Sequence, residues 1–415
     1  MSSIIKEVLS NNEESNLMLV NQLSNTIAIS ISPFDRFPHV GMYRSIGPTN
    51  RYRNEELFNK YSYLGLRDSQ YSNFSQAYMS KIIFSLVNSL FLDKTRIVSL
   101  MNILDYIGYQ KSLILNFRFS HNWEKLKRYL DKESLLEDDL MKLHSFFSDI
   151  TESKNNYLKD FFFNKDDSLK DKEYTMDILE VLKKIPYMKR KNMELRFLGE
   201  DYTLFKELNI YEDDIRFLLK SDILRLNDVI LVKKDTKNII KINEASSGEQ
   251  SIIMSILGIT SKIRDGSLIC IDEPEICLHP TWQEKYIKLL THTFKDYKGC
   301  HFLIATHSPQ IISKLEDENC YVMSMEDGKI VNASTLNNRS IDFQLAHVFK
   351  SPGFKNEYLT RELISLITLI SEGKGQEELA SSKIEEILAL KDVIDDDDPV
   401  KELIKMVASV KKELS

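Results

Sequence analysis

Four apolar residues in succession, Leu268, Ile269, Cys270 and Ile271, run directly into Asp272, Glu273 and Pro274. An unbroken apolar run of that kind reads as a strand buried on both faces, as in a parallel sheet covered by helices. The two acids then fall at the strand's carboxyl end, where open α/β sheets place their ligands. Paired carboxylates at such a point suit Mg²⁺ and a nucleotide.

The surrounding chain has the alternation that such a sheet needs. Thr26 to Ile31 reads as a strand with a turn-rich exit through Pro38, and "KYSYLGLRD" holds a second short strand. Apolar residues at three and four spacing from Gln76 to Leu92 predict a helix. Residues 93–225 are charged and contain no glycine between Gly108 and Gly199, which predicts a helical insertion lobe. Beyond them "DVILVKKDTKNIIKI" reads as two strands about a polar turn. A helix from Gln250 to Ile263, the strand at 268–271, a helix from Trp282 to Phe294 and the strand "HFLIAT" follow. The order is that of an α/β layered fold. A small edge hairpin is expected within Asp317 to Ser334, and then helices to the C-terminus, with Asp395 to Asp398 favouring a helix start through the dipole. The expected domains are an N-terminal part of the core at 1–92, the helical lobe at 93–225, the rest of the core at 226–345 and a helical region at 346–415.

Composition narrows the function classes. A net charge of -7 excludes a bulk basic field for non-specific nucleic-acid binding. The basic run Lys189 to Lys191 leaves a local phosphate contact open, although a solvated helix end is the commoner meaning of such a run. Four cysteines without a Cys-x-x-Cys pair indicate neither zinc nor a disulfide framework. No apolar run approaches membrane-spanning length, so a cytoplasmic protein without membrane contact is expected.

Three motifs carry chemistry. "SSGEQ", Ser246 to Gln250, opens a helix, and there Ser246, Ser247, Gly248, Glu249 and Gln250 offer hydroxyls, backbone N–H groups and a helix dipole to an anion. The same residues also satisfy a simple capping box. "LICIDEPE" begins 22 residues after Ser246, and in it Asp272 can hold hydrated Mg²⁺ while Glu273 polarises a water. "ATHSP" brings His307, 34 residues after Glu273, to the next strand end, within reach of a phosphate. Each motif alone has an ordinary structural meaning; their joint order is what points to a nucleotide site.

In that order "SSGEQ", "LICIDEPE", "LHP" and "ATHSP" resemble the signature motif, Walker B, D-loop and switch histidine of ABC-type ATPases, in the branch of RecF, Rad50, SMC and AAA-like proteins. "ISISPFDRFP" and "YLGLRD", with the insertion, are similar to the ATPase of Septu and retron-associated anti-phage systems. The resemblance implies an ABC-ATPase-like P-loop NTPase sheet, with ATP and Mg²⁺ as cofactors. It makes Asp272 the Mg²⁺-associated carboxylate, Glu273 catalytic and His307 a γ-phosphate contact. Ser247 and Gly248 would touch ATP held by a second subunit, in a homodimer or larger homo-oligomer with Leu278 to Pro280 along the seam. Glu249 stands where transporter relatives carry a second glycine, and Gln70 would be the loop glutamine that reaches Mg²⁺. A nuclease of the HNH type is the expected partner.

One part of the family pattern is missing. The phosphate-cradling run Gly-x-x-x-x-Gly-Lys-Ser/Thr does not occur. Gly328-Lys329 and Gly373-Lys374 are followed by Ile330 and Gly375, and neither has a glycine five positions earlier. The expectation is a member whose first strand and P-loop are absent from this polypeptide, either because Met1 is an internal start or because the cradle was lost. Weak ATP binding follows, since the cradle supplies much of the positioning. The competing expectations are a DNA-repair ATPase of the RecF or Rad50 kind and a non-catalytic scaffold that keeps the fold.

Overall fold

The computed structural model describes residues 23–32, 34–38, 60–65, 74–132, 163–164, 168, 172–185, 193–205, 210–221, 223–315, 319–325, 328–372 and 378–414. The chain divides into two compact units, Met1–Asp272 with Asp296–Ile304, and Glu273–Lys295 with Ala305–Ser415.

The first unit holds two sheets. Asn25–Ser30 (β1), Tyr61–Gly65 (β2), Ser267–Asp272 (β8) and His301–Ala305 (β9) make a four-stranded sheet in the order β2-β1-β8-β9. β1 runs parallel to both neighbours, with Ala28 opposite Tyr63 on one side and Cys270 on the other. Its six residues are all buried, as is β8 up to Ile271, so the apolar run does mark a strand covered on both faces. Burial pushes the Cys270 thiol up to about 12, which leaves it a neutral packing group.

Helices Phe74–Leu92 (α1) and Ser247–Lys262 (α6) pack together beside this sheet. The hydroxyls of Ser85 and Ser261 meet at 3.0 Å between them. Gly258 in α6 lets the backbone come close, because a Cβ there would stand 3.3 Å from Leu64 Cδ1. α6 is buried along most of its length, so the body of the helix is held by packing rather than by helix propensity alone.

The second sheet is antiparallel. Its strands are Ser112–Phe119 (β3), Met193–Leu198 (β4), Asp201–Thr203 (β5), Leu224–Val232 (β6) and Ile239–Lys241 (β7), in the order β5-β4-β3-β6-β7. This corrects the expectation of a helical lobe at 93–225. Helices Thr95–Tyr106 (α2), His121–Lys132 (α3), Lys172–Lys184 (α4) and Glu212–Lys220 (α5) are there, but β3, β4 and β5 lie among them. Lack of glycine and abundant charge favour helix only weakly. In "MELRFL" the alternation of buried and exposed residues sets a strand over six residues, too short to register against the charged background.

In the second unit, Pro280–Thr293 (α7) and Pro309–Ser313 (α8) precede the hairpin Tyr321–Met323 (β10) and Ile330–Asn332 (β11). Ile341–His347 (α9), Glu357–Ser371 (α10), Glu378–Leu388 (α11) and Pro399–Leu414 (α12) complete the expected helical end. Leu359, Leu363, Leu366, Ile384, Ile387 and Ile404 form the core of those last helices. Asp398 starts α12 as a cap, its carboxylate accepting from the N–H of Val400 at 2.9 Å and of Lys355 at 2.8 Å. Among the described residues no helix is long and apolar enough to cross a membrane.

Candidate functional site

Asp272 is the last residue of β8, half-buried and opposite Ser30 of β1. Its carboxylate therefore sits at the carboxyl end of a central parallel strand, as the apolar run predicts. Carboxylate oxygen is a hard donor suited to Mg²⁺, which takes one or two such ligands and keeps water for the rest. No group of three or more His, Cys, Asp and Glu that could hold a metal occurs among the described residues. The Asp272 carboxylate at that strand end fits a hydrated Mg²⁺.

Glu273 leaves the strand in the left-handed region, at φ 49°. For a residue with a Cβ that conformation costs about 1–2 kcal/mol. Its backbone N–H is held by the carbonyl of Ala305 at 2.9 Å. The turn that follows is closed by bonds from Ile276 N–H to Glu273 C=O at 3.1 Å and from Leu278 N–H to Glu275 C=O at 2.9 Å. Leu278 is buried, His279 caps α7, and Pro280 is the helix's first residue, where a missing N–H costs nothing.

The strained turn brings Glu273 to His307, with Oε1 and Nε2 3.2 Å apart. The imidazole is 86% exposed and the carboxylate only 28%. One end of the pair is therefore anchored while the other faces solvent, where a ligand can reach it. Glu275 organises the histidine loop from below: Oε1 accepts from the His307 backbone N–H at 2.6 Å and Oε2 from the Thr306 hydroxyl at 2.8 Å. Gln283 on α7 adds a second tie, donating from Nε2 to Leu278 C=O at 2.8 Å and accepting from Ser308 Oγ at 2.6 Å. Ser308 in turn caps α8. Glu275, Gln283 and Thr306 have no role in the sequence reading. The signal available was a third acid, two residues beyond Glu273, in a turn too short to be a solvated face.

Residues 246–250 open α6 as expected. Ser246 Oγ accepts from Glu249 N–H at 3.3 Å and lies 3.2 Å from Glu249 Oε2, while Gln250 Nε2 donates to Ala245 C=O at 3.0 Å. Ser246 is thus an ordinary helix cap, and Ser247 remains exposed beside the buried Gly248. Glu249 has a further partner, Lys233, whose Nζ lies 3.0 Å from Oε1. The hydrogen bond from Lys233 holds the Glu249 carboxyl below its ordinary value, against the upward push of burial. Lys233 was not singled out in the sequence, since nothing local links it to residue 249.

Gln70 and Lys189 to Lys191 lie outside the described residues. Of the remaining candidates, Glu273 and His307 meet directly, and Ser246, Glu249 and Gln250 form one capped turn.

Residues 52–312 match the family model of the AAA ATPase domain. The chain is 29% identical over 107 residues to the Retron Ec83 probable ATPase of Escherichia coli, covering 23% of this chain and 19% of that protein. It is 22% identical over 227 residues to the Retron Vc95 probable ATPase of Vibrio cholerae serotype O1 biovar El Tor, covering 49% of this chain and 43% of that protein. The matches therefore span less than half the length of either relative. With the model match extending over more than half of the chain, this protein belongs to the AAA ATPase domain family.

Proposed function

We propose that this chain is the ATPase subunit of a bacterial anti-phage defence complex of the retron-associated kind, in which ATP-dependent pairing of subunits controls a partner nuclease of the HNH type. The observation that carries the reading is Glu273, held at φ 49° with its carboxylate 3.2 Å from His307. Strain of that sort persists where the surroundings over-determine it, as at catalytic sites. The two retron ATPases among the relatives support the setting.

On this reading "LICIDEPE" is a Walker B, "LHP" a D-loop and "SSGEQ" a signature motif. Bound MgATP supplies the electrophilic γ-phosphate. Asp272 would hold the Mg²⁺ that accompanies the nucleotide. Glu273 orients a water and takes its proton. His307 donates to a phosphate oxygen, and Ser247 and Gly248 face the nucleotide of a second subunit. Without a Gly-x-x-x-x-Gly-Lys run, the 415 residues bind ATP weakly by themselves. That missing run favours a second reading, a scaffold that keeps the fold without turnover.

The gene in its native genomic surroundings decides between them. Plating efficiency across a phage panel is measured for the wild type and Glu273→Gln, with protein level followed by immunoblot. Loss of protection at unchanged protein level is expected; equal protection makes the chain a scaffold. Titration calorimetry of the purified chain with MgATP is expected to give a millimolar Kd, and a micromolar one overturns the weak-binding claim.

A further inference from the structure

Glu249 is an unusual occupant of a loop meant to meet phosphate. An acid in the first turn of α6 suits the helix dipole, yet a bare carboxylate beside Ser247 and Gly248 repels an incoming anion. Lys233 answers that conflict. Its Nζ stands 3.0 Å from Glu249 Oε1 and 4.8 Å from the centre of the Tyr109 ring. The two charged side chains are only 29% and 27% exposed, so salt and water screen them less than a surface pair.

The backbone places Lys233 independently of α6. Its N–H donates to Asn238 C=O at 2.9 Å, closing the turn of the β6–β7 hairpin, and Tyr109 faces it across an isolated antiparallel bridge. The adjacent Lys234 is turned to Asp105 at 2.6 Å and leaves Glu249 to Lys233. The antiparallel sheet thus sets the ammonium, the buried helix sets the carboxylate, and one ion pair joins them.

We propose that Lys233 is the positioning residue of the 246–250 loop: it draws the Glu249 carboxylate onto the β6–β7 hairpin and cancels its charge, so that the Ser247 hydroxyl and the helix N-terminus present a net positive field to the phosphate of a second subunit's nucleotide. The inference rests on reading 246–250 as a phosphate-contacting loop. It adds the residue that makes a glutamate tolerable there, and it makes the antiparallel sheet the element that holds the loop.

The test uses the full chain as wild type, Lys233→Met, Lys233→Arg and the charge swap K233E/E249K. Amide hydrogen exchange at 246–250 is expected to rise about tenfold in Lys233→Met, equivalent to about 1.4 kcal/mol, and to return to within about twofold in Lys233→Arg and the swap. Unchanged exchange in Lys233→Met overturns the proposal. If that variant fails to fold, the swap decides: wild-type exchange in it supports the pair, and fast exchange refutes it. Phage protection is then compared in the native operon, with Ser247→Arg as the control for the loop itself. Protection lost in both Ser247→Arg and Lys233→Met, and recovered in Lys233→Arg, supports the proposal. Protection lost in Ser247→Arg but kept in Lys233→Met overturns the role of Lys233 while the loop reading stands. Protection kept in Ser247→Arg overturns the loop reading and the proposal with it.

Discussion

Glu275 holds His307 by the backbone and leaves the imidazole free to face solvent: Oε1 accepts from the His307 N–H at 2.6 Å, and Oε2 takes the neighbouring Thr306 hydroxyl at 2.8 Å. Hydrogen bonds to a charged acceptor are worth about 1.5–3 kcal/mol each, and removing the acceptor leaves two donors to find water. Glu275→Ala is therefore expected to cost about 2 kcal/mol in urea unfolding and to abolish phage protection. Glu275→Gln, which keeps one acceptor oxygen, is expected to cost about half as much. An alanine variant as stable and protective as the wild type removes Glu275 from the site.

The left-handed backbone at Glu273 makes a separate prediction. At φ 49° glycine is unstrained, whereas a β-branched side chain is most disfavoured. Glu273→Gly is expected to unfold within about 1 kcal/mol of the wild type, and Glu273→Val about 2 kcal/mol below the glycine variant. Both lose the contact with His307, so both are expected to lose function. Equal stability of the glycine and valine variants means that the turn relaxes and stores no strain.

His347 makes the second unit sensitive to acid. Burial holds its imidazole below the usual value of 6.5; Glu386 and Glu362 push it up, while Lys383 and Arg339 push it down. Its Nε2 is 3.0 Å from the Tyr358 hydroxyl, and its ring stacks on Phe343 with centroids 4.5 Å apart. The folded state takes up the proton at lower pH than the unfolded state does. Its contribution is therefore fully present above the unfolded value and lost as pH falls through the lowered folded one. The unfolding midpoint is expected to drop as pH falls below about 7, and His347→Gln to flatten that slope. Identical slopes in the two proteins rule the residue out as the source.

Asp398 is 2% exposed and accepts from two backbone N–H groups, one in the first turn of α12 and one at Lys355. Asp398→Ala is expected to cost about 2–3 kcal/mol, above a typical cap because the second donor is stranded as well. Asp397→Ala, which alters an exposed neighbour in the same acidic run, is expected to change stability by less than about 0.5 kcal/mol. Equal costs for the two mean that charge near the helix start, rather than capping, accounts for the run.

Local chemistry determined a good part of this protein from sequence alone. The run Leu268 to Ile271 can be satisfied only by burial on both faces, so the strand and the acids at its end were legible without a fold. Ser246 announced a helix start because a cap acts within three residues. Tertiary structure decided what these ends meet. β3 pairs with β4 and β6, so that Ser112 faces Leu198 and Phe119 faces Leu224, residues far apart in the chain. Glu275 reaches residues 31 and 32 positions on, and Lys233 reaches Glu249 across a hairpin turn and a helix start. Such pairings depend on how separate elements pack, and neither residue type nor spacing encodes them. The φ of 49° at Glu273 belongs with them, since a glutamate adopts that conformation only when its surroundings impose it.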